Sequence, residues 1–384
     1  MAKSTTAFCP IVQAGEMFEY PFRESLRVPA KSYAVETPPD PALLLDCTMG
    51  VNPYGYPAAA AEAVKNIDLR HLQDYPHDTC HYKAVCQFWN GYAEISEDML
   101  FFSDGSISGI YCLNNLFSQS VRNEVIGFMP TFTDMVESAR RYGFRYRGVP
   151  LRMEENGREA VEDLLPELSD KTAFFYLDRP NNPTGQTIPL AEVERLCSAA
   201  AEAGVYCVID EAYGDFLPRQ ESAMTLMGRY ENLIVIRTFS KGFGLANLRA
   251  GYLVLPPELA TMLRQCSNPY VLSDIQRRIC AAALTDADYP TSHAADFAEA
   301  KRRIAEGLSG QIRMLETDGR VPICTLELRS EGNLQKILIE EGVMTLSGCD
   351  FDGLGERFVR ICTPGLQALS RLTDALGRAE KRAL

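Results

Sequence analysis

The segment from Arg237 to Tyr252 carries the side chains of this sequence that are best suited to chemistry. Thr238 and Ser240 precede Lys241, and Arg249 follows eight residues later. A lysine amine that can lose its proton near neutral pH forms a Schiff base with an aldehyde. The two hydroxyls and the guanidinium can bind a phosphate group. The whole segment predicts a reactive lysine beside an anion site, although Ser-Lys-Gly alone would be better explained by a surface lysine in a glycine-rich loop.

Two predicted strands further upstream end in polar side chains. Residues 173–177 lead into Asp-Arg-Pro-Asn-Asn-Pro-Thr-Gly, which places Asn182 in a turn, and residues 205–209 lead to Asp210 and Tyr213. Open α/β sheets bind ligands at the carboxyl ends of such strands. Asn182 and Tyr213 could hydrogen-bond a phenolate, and Asp210 could pair with a protonated pyridine nitrogen. A turn-forming asparagine and an ordinary strand end are the structural alternatives.

A third candidate segment follows the predicted strand that ends near Ser103. Gly105, Ser106 and Ile107 are expected to form a glycine turn and the first turn of a helix. The free backbone amides of a helix N-terminus can bind a phosphate. An ordinary helix cap is an equally good explanation of this segment alone.

Taken together, these motifs resemble those of a known family. Asn-Pro-Thr-Gly, the Asp-x-x-Tyr strand end and Ser-Lys with its trailing arginine occur in the order typical of fold-type I pyridoxal phosphate enzymes. From about Leu45 to Arg360 the chain resembles the class I/II aminotransferases. The resemblance implies an α/β fold-type I PLP transferase: a large domain with a mainly parallel sheet and a smaller α+β domain.

The same resemblance implies roles for individual residues. Lys241, Asp210 and Tyr213 are expected to be catalytic, and pyridoxal 5'-phosphate is the expected cofactor. The cofactor-binding set is expected to comprise Tyr75, Gly105, Ser106, Ile107, Phe132, Asn182, Asp210, Tyr213, Thr238, Ser240, Lys241 and Arg249. Phe132 matches the aromatic residue that stacks on the cofactor, and Tyr75 matches the tyrosine that reaches the neighbouring subunit's cofactor phosphate. A homodimer with shared active sites follows from the role of Tyr75.

For the substrate, the resemblance implies that Arg360 binds the α-carboxylate and that Asn182 and Gly50 lie in the binding site. The sequence is most similar to the histidinol-phosphate aminotransferases and threonine-phosphate decarboxylases, but two positions depart from them. Leu346 stands where the former tend to have an arginine, and Gly50 where both tend to have an asparagine. Losing a guanidinium at a phosphate subsite would cost about 1.5–3 kcal/mol. We therefore expect a substrate without a phosphate group.

The expected reaction moves an amino group between an amino acid and a 2-oxo acid. The alternative is a lyase, a decarboxylase or cyclase acting on an amino acid, because sequence does not fix which substrate bond lies perpendicular to the cofactor ring. A ligand-sensing regulator on this fold would need an added DNA-binding domain, and the short N-terminal extension and acidic charge argue against it.

Composition narrows the classes of partner. The net charge is -13 in 384 residues, which argues against nucleic acid or an anionic membrane as the main partner. The sequence has no apolar run near the ~20 residues that span a bilayer, and no signal-like N-terminus. Its 12 cysteines are scattered, which is typical of reduced thiols in a cytoplasmic protein. His77, Cys80 and His81 are close enough in sequence to suggest a metal site, but a fourth ligand is not evident, so no metal is expected.

The alternation of apolar strands with helical patterns predicts the domain organisation. Residues 1–44 are expected to pack with the small domain, residues 45–262 to form the large cofactor-binding domain, and residues 263–384 to form the small domain. The pattern from about Ser273 to Leu308 predicts a long helical stretch.

Overall fold

The structure is a computed structural model that describes residues 24–26, 31, 45–153 and 160–382. The chain divides into two units, residues 1–30 and residues 31–384. In the first unit the described part is a short 3-10 helix, Glu24–Leu26. The second unit contains all the elements described below. The predicted packing of residues 1–44 falls almost entirely outside the described residues.

The α-helices of the second unit are α1 Ala58–Lys65, α2 Cys80–Trp89, α3 Gly105–Phe117, α4 Thr133–Arg141, α5 Ala160–Leu164, α6 Leu190–Glu202, α7 Pro257–Gln265, α8 Asp274–Thr285, α9 Ala294–Gly307, α10 Leu334–Glu340 and α11 Leu369–Arg382. Its strands are β1 Leu45–Asp46, β2 Leu100–Ser103, β3 Glu124–Met129, β4 Arg145–Pro150, β5 Thr172–Asp178, β6 Tyr206–Asp210, β7 Leu233–Thr238, β8 Gly251–Val254, β9 Ile312–Met314, β10 Ile323–Leu328, β11 Val343–Met344, β12 Leu346–Ser347 and β13 Phe358–Cys362.

A seven-stranded sheet in the order β2-β8-β7-β6-β5-β3-β4 forms the core of the second unit. Strand β8 runs antiparallel to its neighbours β2 and β7, and the other pairs are parallel. Adjacent residues in a strand point to opposite faces, so Phe174 and Phe175 enter separate apolar clusters. Because helices cover both faces, the central strands are continuous apolar runs rather than alternating ones. The predicted mainly parallel α/β fold is confirmed.

Two smaller sheets lie later in the chain. Strands β12-β13-β10-β9 form an antiparallel sheet, and β1 pairs with β11 in parallel register. Helices α9, α10 and α11 contribute apolar residues to the core beside these strands. Strand β1 immediately precedes residues 47–51, which include the candidate substrate-binding residue Gly50. The pairing of β1 with β11 therefore fixes where these residues begin.

The structure bears on two details of the predicted organisation. The predicted boundary at residues 262–263 falls inside helix α7, and the division into domains stays a prediction. The long helical stretch predicted for residues 273–308 consists of two helices, α8 and α9, separated by the 3-10 turn Tyr289–Thr291. Pro290 lies in that turn and cannot continue an α-helix because it lacks a backbone donor.

Within the described ranges, no helix is both long and apolar enough to cross a bilayer. No three metal-binding side chains are grouped there to hold an ion either. His81 is buried, with its ring centroid 4.3 Å from that of Phe102, and burial lowers the pKa of its imidazole to about 3. It is therefore a neutral core side chain.

Candidate active site

A cavity of about 500 Å³ opens at the carboxyl ends of the central parallel strands. The fold brings together in it side chains that are separated by more than 300 residues of sequence. Three predicted site residues, Tyr75, Gly105 and Thr238, are not among its lining residues. The other predicted site residues line it: Gly50, Ser106, Ile107, Phe132, Asn182, Asp210, Tyr213, Ser240, Lys241, Arg249 and Arg360.

Lys241 lies in the loop after β7, and a second loop holds it from outside. The backbone amide of Asn52 donates to the carbonyl of Lys241 at 3.1 Å, and the Asn52 side chain donates to the carbonyl of Gly242 at 3.0 Å. Gly244 has a φ of +67°, and a Cβ there would lie 1.8 Å from the carbonyl oxygen of Gly55. Only glycine allows the two loops to approach this closely. The Lys241 Nζ is 5.5 Å from the centroid of the Tyr213 ring.

Asp210 ends β6 and is buried in the cavity floor. Its Oδ2 accepts a hydrogen bond from the Tyr176 hydroxyl at 2.7 Å, and its Oδ1 accepts one from the amide of Ala212 at 2.9 Å. Burial raises the pKa of Asp210 to about 6, and these two hydrogen bonds, with a smaller contribution from the charge of Lys241, oppose that rise. The carboxyl group is therefore ionised at neutral pH and oriented by two donors.

Asp178 is a site residue that sequence reasoning missed. It is the register partner of Asp210 on the neighbouring strand, and burial raises its pKa to about 7. Its carboxylate accepts hydrogen bonds from the hydroxyl of Thr131 at 2.9 Å, the amide of Phe132 at 3.1 Å and the amide of Asn182 at 2.9 Å. Asp178 thereby fixes both loops that carry Phe132 and Asn182. The sequence signal for Asp178 is an acidic residue at the end of a predicted strand, as for Asp210.

The start of α3 and the loop after β7 meet at one corner of the cavity. Gly105 has a φ of +74°, and a Cβ there would lie 2.5 Å from the Arg249 Nη2. Arg249 itself has a φ of 52°, and its guanidinium donates to the carbonyl of Ala246 at 3.2 Å. The close approach of a glycine turn and a guanidinium leaves backbone donors and a positive charge at one place.

Thr238 lies behind this corner rather than at the cavity. Its hydroxyl is 3.0 Å from the Ser240 hydroxyl and 3.2 Å from the carbonyl of Ala250. Ser240 itself lines the cavity. Thr238 therefore supports Ser240 from beneath.

Arg360 reaches the cavity from β13 and is only 4% exposed. Its guanidinium donates to the Oδ1 of Asn182 at 3.0 Å and to the carbonyl of Thr48. Leu346 on β12 is its register partner, so the two side chains lie side by side at the cavity. These two hydrogen bonds fix the orientation of the guanidinium at the cavity.

The Tyr213 hydroxyl lies directly beside Gly50. A Cβ at Gly50 would lie 1.8 Å from the Tyr213 oxygen, so only glycine fits this ring position. Tyr213 is 2% exposed, and its hydroxyl has no hydrogen-bond partner in the described part of the chain. Buried hydroxyls are normally hydrogen-bonded, so this one is placed for a ligand in the cavity.

Four buried charged side chains behind the cavity tie the strand ends together. Arg179 donates to Glu211 at 3.2 Å, Arg237 donates to Glu211 at 2.6 Å, and Arg237 also pairs with Asp215. The group carries two positive and two negative charges. Arg179, Glu211 and Arg237 belong to three neighbouring strands or the residues that directly follow them, so the ion pairs hold those strand ends in register. None of the four was assigned a role from sequence.

These residues fit pyridoxal 5'-phosphate. The unpartnered Tyr213 hydroxyl suits its phenolate oxygen, Asp210 suits its pyridine nitrogen, and Phe132 supplies an aromatic ring to the cavity. The Gly105 turn, which a Cβ would fill, and the adjoining Arg249 form a cradle of the kind that phosphate needs.

Tyr75 lies away from this cavity. It is 70% exposed, and its ring centroid is 4.9 Å from that of Tyr270. Its predicted contact with the cofactor phosphate of a neighbouring subunit stays a prediction.

Comparisons with known proteins agree with this geometry. The profile of the family "Aminotransferase class I and II" matches residues 46–375. A histidinol-phosphate aminotransferase of Methanocaldococcus jannaschii is 26% identical over 350 residues, 90% of this chain and 91% of the relative. The crystal structure of a histidinol-phosphate aminotransferase from Clostridium acetobutylicum superposes with a TM-score of 0.76 at 22% identity, covering 88% of this chain and all of the other. A Sinorhizobium meliloti structure of the same name, in complex with pyridoxal-5'-phosphate, has a TM-score of 0.74 at 21% identity, covering 88% and 91%.

The structural likenesses, below 25% identity, concern the fold. The family match runs from the segment before Gly50 to beyond Arg360 and so includes every residue that lines the cavity. The chain therefore belongs to the class I and II aminotransferases and is an aminotransferase that depends on pyridoxal phosphate.

Proposed function

We propose that this cavity transfers the α-amino group of an amino acid to a 2-oxo acid, with Lys241 as the residue that carries the cofactor and moves the proton. The observation that carries the proposal is that Lys241, Asp210 and Arg360 line one cavity. These are an amine, an anion and a cation, and the reaction needs one of each. The nitrogen exchanges between two 2-oxo acids, so no external oxidant or reductant is required.

In this proposal each group of the cofactor has residues that bind it. Tyr213 and Asn182 hold the phenolate, and Phe132 covers the ring. When bound, pyridoxal phosphate supplies an electron sink that stabilises negative charge at the substrate α-carbon. Its phosphate is held by Ser106, Ile107, Ser240 and Arg249, in a corner that Gly105 shapes and Thr238 supports.

The chain's own residues then position and move the reacting groups. Arg360 binds the substrate α-carboxylate, and Asn182 and Thr48 hold its guanidinium in place. Asp210 keeps its negative charge at the buried strand end, where two hydrogen-bond donors orient it. The Lys241 amine accepts the proton that leaves the substrate α-carbon. Gly50 leaves room for Tyr213 beside the substrate.

The proposal extends to assembly and location. Tyr75 is an exposed aromatic side chain beside a second exposed one, Tyr270, which is 44% exposed. We propose that this surface pairs with a second copy, so that Tyr75 reaches the phosphate of the neighbouring site. The scattered cysteines and acidic charge support a cytoplasmic location.

The test is the first half of the reaction, followed by absorbance. The holoenzyme is mixed with single amino acids, and loss of the visible cofactor band is compared with the amount of 2-oxo acid formed. We expect one 2-oxo acid per site for an accepted donor, and recovery of the band on adding a different 2-oxo acid. Release of carbon dioxide with loss of the carboxylate would contradict transamination.

A further inference from the structure

Six charged side chains line the cavity, and the proposed function gives a role to three cations and to two of the three acids. The cations are Lys241, Arg249 and Arg360, which the proposed function assigns to the amine, the cofactor phosphate and the α-carboxylate. Of the acids, Asp210 faces the cofactor nitrogen and Asp178 accepts hydrogen bonds from two loops. The remaining acid of the lining is Asp134, which belongs to no motif and has no role in the proposed function.

Asp134 is held firmly at the cavity wall. It lies in the first turn of α4, two residues after Phe132. The start of that helix is anchored on both sides, because the amide of Phe132 donates to Asp178 at 3.1 Å and the hydroxyl of Thr133 donates to the carbonyl of Asp350 at 2.6 Å. These contacts fix the backbone at the start of α4, from which Asp134 lines the cavity.

Asp134 forms neither an ion pair nor a hydrogen bond with any side chain in the described ranges, although it is only partly exposed. Burial raises the pKa of its carboxyl group, and the charge of Glu137 adds to that rise. The positive charge of Arg141 opposes the rise from further along the helix, while Arg140 pairs with Glu137 and Asp352 instead. A raised pKa is the expected result for a carboxylate whose negative charge is not fully compensated.

The rest of the cavity lining is mainly uncharged. Asp134 is therefore the acid that can contact a substrate side chain. Met49, Val51, Ala246 and Leu346 contribute apolar surface to the cavity. Leu346 is the register neighbour of Arg360, so the strand pair that carries the carboxylate-binding arginine offers no second charge there. A side chain with a hydrocarbon stem and a positively charged end matches such a lining.

We propose that Asp134 is a specificity-determining residue that selects amino donors whose side chain ends in an ammonium group. The inference rests on the proposed function, since it assumes that the donor's α-carboxylate binds Arg360. A first-turn aspartate also interacts favourably with the helix dipole. That role alone would lower stability on substitution without changing the order of preferred donors.

The test compares isosteric donors on wild-type holoenzyme. The cationic donors 2,4-diaminobutyrate and ornithine are paired with the neutral norvaline and norleucine, and glutamate and O-phosphoserine serve as anionic probes. We expect at least one cationic donor to exceed its neutral partner by about 10- to 100-fold in kcat/KM, the gain typical of a charge-assisted hydrogen bond. Asp134→Asn is expected to abolish this preference for the cationic donor, while kcat/KM for the neutral donor changes less than about twofold.

Glu258→Gln is the matched control, because it removes a first-turn acid from another helix, α7, at a residue that does not line the cavity. A second readout needs no reaction at the α-carbon. It compares the inhibition constants of 5-aminopentanoate and hexanoate, which differ only in the terminal group, an ammonium in the first and a methyl in the second. Asp134→Asn should weaken the first by about 10-fold or more and leave the second unchanged.

The outcomes separate the two proposals. If no donor of any class reacts with wild-type holoenzyme, the proposed function fails. If donors react but neutral or anionic ones are preferred, or if Asp134→Asn lowers all donors and both inhibitors equally, Asp134 does not select the side chain. Selection by Asp134 is equally contradicted if Glu258→Gln changes the ratio as much as Asp134→Asn.

Discussion

The cofactor side and the substrate side of the cavity are built in different ways. On the cofactor side, Asp210 and Lys241 lie at the ends of adjacent strands of one sheet, β6 and β7, and buried ion pairs lock those strand ends together. On the substrate side, Gly50, Asp134 and Arg360 come from a loop, a helix start and a strand of a different sheet. The first side is one rigid scaffold for the chemistry. The second is assembled from separate elements of the fold.

The largest effect is expected from a substitution on the cofactor side of the cavity. Lys241→Ala removes the amine that moves the proton, and general acid–base groups contribute about 10²- to 10⁴-fold in rate. We expect turnover to fall by at least about 10³-fold and the visible cofactor band to be lost or shifted. Lys336→Ala, an exposed lysine on α10, is the matched control and should keep both. Retained turnover in Lys241→Ala would mean that the cofactor side does not depend on this lysine.

Gly50→Ala probes the contact between the two sides. Its Cβ would lie 1.8 Å from the Tyr213 oxygen, so the ring must move. Displacing a reacting group by about 1 Å can cost about 10²-fold. We expect a loss of that order in kcat/KM together with a shifted cofactor band. Gly307→Ala, where a new Cβ meets nothing within 4 Å, should be neutral. Equal effects of the two changes would mean that general stability is being measured.

Arg360→Lys isolates the substrate side. A lysine keeps the charge but loses the two-pronged contact with a carboxylate. We expect the KM for the amino donor to rise by about 10- to 100-fold, while the dissociation constant of the cofactor changes less than about twofold. Arg357→Lys, on the same segment but outside the cavity, should alter neither. Loss of cofactor binding in Arg360→Lys would show that the two sides are not separable.

Cofactor binding to the apoenzyme should depend on pH through Asp210. Its pKa is raised to about 6, so the carboxylate is charged above that value and protonated below it. A protonated carboxyl no longer attracts the pyridinium, and affinity should fall about tenfold for each pH unit below about 6. Asp210→Asn should bind more weakly at neutral pH and show no such slope. A wild-type affinity that stays flat across the region around the Asp210 pKa would contradict this role.

The smallest expected effect concerns Thr238, which supports Ser240 from beneath. Thr238→Val keeps the shape of the side chain but removes its hydroxyl group. That hydroxyl contacts the Ser240 hydroxyl and the carbonyl of Ala250. Losing one neutral hydrogen bond should weaken cofactor binding by about three- to tenfold. Ser240→Ala, at the cavity itself, should cost more. Equilibrium titration of apoenzyme with the cofactor measures both, and a larger loss for Thr238→Val would place Thr238 in direct contact instead.

The contrast between the two sides also explains what sequence could predict. Asn182, Asp210 and Lys241 were predictable because local strand and turn patterns place them at sheet ends. The fold class followed from the same alternation of apolar runs and helical patterns. Arg360 and Gly50 depended on the family resemblance, since no local pattern links them to residues more than 100 positions away.

Other features needed three-dimensional contacts. The role of Asp178 depends on four donors from two loops, and its register partnership with Asp210 is a property of strand pairing. Asp134 belongs to no motif, and its lack of a partner among the described side chains emerges only once those side chains are placed. The break between α8 and α9 is different, because Pro290 is visible in the sequence and alone is enough to end an α-helix.

The position of the cofactor on the chain gives the most direct check on the role of Lys241. Holoenzyme is reduced with borohydride, which fixes the cofactor to the amine that holds it, and the modified peptide is identified by mass spectrometry. We predict one modification per chain, on Lys241. Modification of a different lysine, or none in holoenzyme that shows the visible band, would contradict this role.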